Sequence, residues 1–178
     1  PFLSLNKTYT DTLKIHIKIV LVLMCFLTIS CNTKPKKNMN FIPKTAEQIL
    51  GNPDYLAISY GGYREATREH QPSLEELKED LKILHAMGIR ILRTYNLQLP
   101  HSSNILRAIK QIQDTDTDFE MYVMLGAWID CQGAWTQQQP NHEIENKENN
   151  TSEIAKAIAL ANQYPEIVKI IAVGNEAM

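Results

Sequence analysis

From Tyr55 onward, short apolar runs alternate with longer stretches in which apolar residues recur every three or four positions. The runs YLAISY (55–60), IRILRTY (89–95), FEMYVMLGAW (119–128) and VKIIAVG (168–174) read as strands by their length and their β-branched and aromatic content. Between them the spacing turns helical. In PSLEELKEDLKILHAMG (72–88), Leu74, Leu77, Leu81 and Leu84 share one face, Ser73 and Glu76 form a capping box, and Gly88 ends the helix. Ile105, Ile109 and Ile112 align in SNILRAIKQI (103–112), and a polar DTDTD turn follows. TSEIAKAIALANQYP (151–165) is a third helix, stopped at Pro165.

Strands alternating with helices predict parallel βαβ units, and the nearly continuous apolar strands predict a sheet covered by helices. Two architectures satisfy this pattern: an open doubly wound sheet, and the first half of a (β/α)8 barrel. SYGGYR (59–64) has adjacent glycines but neither a GxGxxG fingerprint nor a P-loop lysine, which weakens a nucleotide- or flavin-binding reading. The C-terminal tips of parallel strands share one rim, where ligands bind. Here that rim receives Tyr60, then Arg93, Thr94, Tyr95 and Asn96, then Trp128 to Asp130, then Asn175 and Glu176. Aromatic rings stack on the C–H faces of sugars, and amide, guanidinium and carboxylate groups take the hydroxyls, so these tips suit a saccharide. The polar segment 131–150, which carries Trp135, reads equally as a cleft wall or as a solvated insertion.

Composition narrows the class. A chain of 178 residues, 44% hydrophobic, can bury one sizeable core. With a net charge of −2 and KPKK (34–37) as the only basic cluster, no nucleic-acid partner is expected. The histidines are scattered without ligand spacing, so no metal or other cofactor is expected. Cys131 is expected to be a partly buried free thiol.

Before the fold, Lys14 and Lys18 precede an apolar run, Ile19 to Ile29, that ends in Ser30-Cys31. This is a secretory signal pattern, shorter than the about 20 residues of a membrane span. The Ser-Cys ending resembles a bacterial lipoprotein box, with Cys31 as the lipidated residue and Thr28 where leucine is usual. The expected organisation is a signal peptide over 1–31, a linker and lead-in over 32–50, and a partial catalytic domain over 51–178. The expected location is periplasmic or cell-surface, with membrane contact only through the lipid anchor. A first residue that is not Met predicts a fragment.

AISYGGYR, ILRTYN and VKIIAVGNEAM resemble glycoside hydrolase family 17, the β-1,3-glucanase family, over roughly Tyr55 to Met178. The resemblance implies a TIM (β/α)8 barrel, cut after its fourth strand, and a retaining glycosidase acting on β-1,3-glucan. It implies Glu176 as general acid/base and Asn175 as a hydrogen-bond partner of the sugar 2-hydroxyl. The nucleophile is then expected at strand seven, beyond Met178, so the fragment alone is expected to be inactive. Retaining hydrolysis needs two carboxyl groups about 5–5.5 Å apart, one of which holds a proton near neutral pH. A Glu leaving an apolar strand at a crowded tip meets that need, although a solvated or Arg-paired Glu has the same local sequence. Arg93 reads as the orienter of the second carboxylate or as a structural ion pair. Tyr60, Tyr95 and Trp128 read as sugar-binding residues or as packing, and Asp130 as a hydroxyl acceptor or a turn cap. Two alternatives share the fold: a β-1,3-glucan transglycosylase, and a non-catalytic surface glycan-binding lipoprotein.

Overall fold

The computed structural model describes residues 43–174. The leader, Cys31, Asn175 and Glu176 lie outside the described residues. In chain order the elements are α1 (Ala46–Ile49), β1 (Leu56–Ser59), α2 (Leu74–Ala86), β2 (Ile89–Arg93), α3 (His101–Gln113), β3 (Tyr122–Ala127), β4 (Cys131–Gln132), β5 (Asn141–Glu145), α4 (Lys147–Gln163) and β6 (Val168–Val173). The capping box forms as the sequence predicts. The Ser73 N–H donates to Glu76 Oε2 at 2.8 Å, and the Glu76 N–H donates to Ser73 Oγ at 3.3 Å. Those bonds from Ser73 hold the Glu76 carboxyl below its ordinary range. Gly88, at φ +90°, turns the chain out of the helix into β2.

The four main strands are parallel and lie in the order β1-β2-β3-β6. Each therefore pairs with the main strand before it in sequence. A doubly wound sheet reverses direction at a switch point, and this order contains no reversal. The helices accordingly share one side. Leu77 and Leu81 of α2, Ile105, Ile109 and Ile112 of α3, and Ala157 of α4 pack in one buried cluster with Leu92, Val123, Leu125, Ala127 and Val168 from the strands. Among the described residues this is a four-stranded parallel α/β array compatible with a partial β/α barrel.

The opposite face of the sheet carries Ile91, Tyr122, Met124 and Ile170, and Ile49 of α1 closes its N-terminal end. The Lys44 N–H also donates to the Tyr122 hydroxyl at 3.1 Å. The described part of the expected linker and lead-in is thus packed structure, because a sheet face without helices needs another apolar cover. Segment 131–150 is likewise not a plain loop: β4 and β5 pair antiparallel, and α4 begins at Lys147.

Both sheet edges remain apolar and open. Ile58 of β1 pairs with Leu92, while Ile171 and Val173 of β6 pair with Leu125 and Ala127. These three side chains share the helix-covered face yet stay exposed, Val173 at 65%. Ile154 and Ile158 of α4, one turn apart, are exposed as well.

His101, at the start of α3, is 1% exposed and tilts against the Tyr63 ring at 5.7 Å. Burial first, and the Arg68 charge second, push its pKa down to about 4. The unfolded chain takes up this proton near pH ~6.5, whereas the native one waits until near 4. The stability contribution is therefore intact above pH ~6.5 and disappears as pH falls from there toward 4, reaching about 2 kcal/mol of loss at pH 5. The urea midpoint is expected to fall between pH 7 and 5, and His101→Gln is expected to flatten that fall. An identical slope in the variant contradicts the assignment.

Candidate functional site

The rim is built from strand tips, each fixed by a different device. At the β1 tip, Tyr60 turns toward the helix layer, and its hydroxyl donates to Asp80 Oδ2 of α2 at 2.7 Å. Arg64 Nη2 holds the other oxygen of Asp80 at 2.9 Å. Burial and then the bond to Asp80 push the Tyr60 hydroxyl pKa far up, so it stays protonated. Expected among the sugar-binding residues, Tyr60 has its hydroxyl committed to α2.

At the β2 tip, Arg93 lies on the face free of the three long helices, and its guanidinium sits 5.4 Å from the centre of the Tyr95 ring. Thr94, fully buried, accepts from the Gly126 N–H at 3.1 Å and donates its own N–H to the Met124 carbonyl at 3.1 Å. Gly126 is required here. A Cβ on it would lie 2.3 Å from the Thr94 carbonyl oxygen and 2.8 Å from the Tyr95 Cα. The missing side chain lets the backbone of the β2 tip, which carries Arg93 and Tyr95, press against β3, whose tip carries Trp128. Arg90, at the strand's start, instead donates to the His85 carbonyl at 2.7 Å, away from the rim.

At the β3 tip, α4 acts as a clamp. Glu153 is 1% exposed, and its Oε1 accepts from the N–H of Leu97 at 2.6 Å and of Trp128 at 3.0 Å. One carboxylate oxygen so ties the β2 and β3 tips together. Its Oε2 is buried without a hydrogen-bond partner among the described residues. Asn150, one turn earlier, accepts from the Asp130 N–H at 2.8 Å and donates to the Asp130 carbonyl at 2.9 Å. The Asp130 side chain then takes both indole N–H groups, from Trp128 and, at 3.2 Å, from Trp135. The two indoles meet at 5.7 Å with a 60° tilt. Cys131 Sγ lies 3.7 Å from His142 Nδ1 across the β4–β5 hairpin. Among the described residues, no group of three or more His, Cys, Asp or Glu side chains is placed to hold a metal ion.

Beyond β6, the Gly174 N–H donates to the Ala127 carbonyl at 2.9 Å, so the ladder runs to the residue before Asn175. The rim thus collects Arg93, Tyr95 and Trp128, with Tyr60 committed elsewhere. Glu153 and Asn150 went unrecognised from sequence, although a signal existed. At helical spacing they share a face with Ala157 and Leu160, both of which pack in the core. Polar residues on an apolar stripe mark buried polar work.

No family model matches the chain, and no curated protein matches it. Among solved structures the chain is similar to an endo-laminarinase from Formosa Hel1_33_131, with 66% sequence identity and a TM-score of 0.74. The match covers 76% of this chain and 34% of that one, so the chain spans about a third of the length of the protein it resembles.

Proposed function

We propose that this chain is the N-terminal part of a β-1,3-glucan hydrolase that cleaves internal bonds. The observation that carries this reading is the 66% identity to an endo-laminarinase over 76% of the chain. The rim supports it independently. Arginine, tyrosine and tryptophan side chains stand at neighbouring strand tips, where parallel α/β folds bind their ligands.

In this reading the array closes into a (β/α)8 barrel of the glycoside hydrolase family 17 type. The sequential strand order supports closure, as do the bare apolar edges of β1 and β6, which further βα units would cover. Glu176, two residues past Gly174, is the general acid/base of a retaining mechanism, and Asn175 binds the sugar 2-hydroxyl. Arg93 and Tyr95 orient substrate and the opposing carboxylate, which lies beyond residue 178. Trp128 stacks on a glucosyl ring, and Tyr60 stiffens the rim from behind. Export by the leader and tethering through Cys31 complete the proposal, supported by the leader's charge and hydropathy pattern.

The test is to incubate the full-length protein with laminari-oligosaccharides and follow chain length by chromatography. Shorter products with new reducing ends are expected. Longer products would reassign it as a transglycosylase, and unchanged sugars with measurable binding would reassign it as a glycan-binding protein.

A further inference from the structure

We propose that Trp135, braced by Trp128 and Asp130, is an aromatic subsite that grips a glucosyl unit of the bound chain and selects for a curved chain. The substrate class rests on the hydrolase reading above; the subsite itself rests on four local observations.

Trp135 is the one non-glycine residue with positive φ, +61°, among the described residues. Left-handed backbone disfavours a side chain with a Cβ, and such strain persists where the surroundings impose it, commonly at ligand sites. Trp135 is also 79% exposed, so the largest side chain type has been placed in strained backbone with little burial in return. Its orientation is nevertheless specified. The indole N–H donates to Asp130, whose backbone N–H and carbonyl are both held by Asn150 and whose carbonyl also accepts from the Asn146 N–H at 3.0 Å. With both indole N–H groups turned inward to one carboxylate, what Trp135 offers outward is its apolar ring. That surface fits the C–H face of a pyranose and not an anion or a hydrogen-bonding peptide.

The geometry also bears on linkage. Two coplanar rings match a flat β-1,4 chain. Here the rings are tilted by 60° at 5.7 Å, which makes a corner. β-1,3 linkages turn successive residues, so a β-1,3 chain can follow that corner.

The experiment uses the full-length protein with Trp135→Ala and Trp135→Phe, on laminari-oligosaccharides of increasing length and on cello-oligosaccharides. Thermal unfolding should not move for either variant. Trp135→Ala is expected to raise KM for the long laminari-oligosaccharides about fivefold to tenfold, with kcat changed less than about twofold. Trp135→Phe should recover most of the loss, and oligosaccharides too short to span the rim should lose nothing. Equal KM at every length, or an equal loss at every length, overturns the subsite. If the wild-type protein proves inactive, calorimetry with the same sugars replaces kinetics. A matching loss of laminari-oligosaccharide affinity in Trp135→Ala upholds the subsite while the hydrolase reading falls, and unchanged affinity overturns the subsite. Wild-type binding to cello-oligosaccharides as tight as to laminari-oligosaccharides removes the linkage claim.

Discussion

Glu176→Gln in the full-length protein is expected to lower turnover of β-1,3-glucan by about 10²–10⁴-fold, the contribution typical of a general acid/base. The substitution preserves size and hydrogen-bonding reach but removes the transferable proton. KM should change little, because the amide still contacts the bound sugar. A further contrast separates lost proton transfer from a damaged fold. A β-glucoside with an aryl leaving group that departs without protonation should lose far less rate in the first step than the natural polysaccharide. Equal loss on both substrates points to disruption. Unchanged turnover on the polysaccharide removes Glu176 as proton donor, and with it the mechanism proposed for this rim.

Gly126→Ala is expected to destabilise the protein by about 3 kcal/mol, or roughly 10 °C in melting temperature. The added methyl group would sit 2.3 Å from the Thr94 carbonyl oxygen and 2.8 Å from the Tyr95 backbone. Those atoms are main chain, so no rotamer change relieves the overlap. The β2 and β3 tips must separate, which also loosens the bond from the Gly126 N–H to Thr94 Oγ1. Because Arg93 and Tyr95 leave one side of this contact and Trp128 the other, activity should fall together with stability. A variant that melts with the wild type shows that the tips are not pressed together as described.

The βα alternation was legible because each strand is a short apolar run and each helix carries a 3.6-residue period. Leu77, Leu81, Ile105 and Ile109 lie in the core where their spacing put them. Two things escaped, for physical reasons. Every β5 residue in the β4–β5 hairpin is exposed, so no buried face imprints an alternating pattern on it. The direction of Tyr60 depends on Asp80, twenty residues on in α2 and itself held by Arg64, and that attraction leaves no local mark. Within the candidate site, the residue types at the strand tips could be read in advance. The struts behind them, Glu153 and Asn150, act through backbone groups of other segments, and a linear pattern shows only that two polar residues interrupt a buried stripe.

The strand order has a consequence for biogenesis. Each parallel strand docks on the one translated just before it, through contacts of modest sequence separation, so the array can assemble stepwise as it leaves the ribosome. At every stage the newest strand presents an apolar margin that serves as the template for its successor. Ile171 and Val173 are that margin on β6. Until such a margin is covered, it offers unpaired backbone and apolar side chains to other chains, so a stalled intermediate of this array is expected to aggregate.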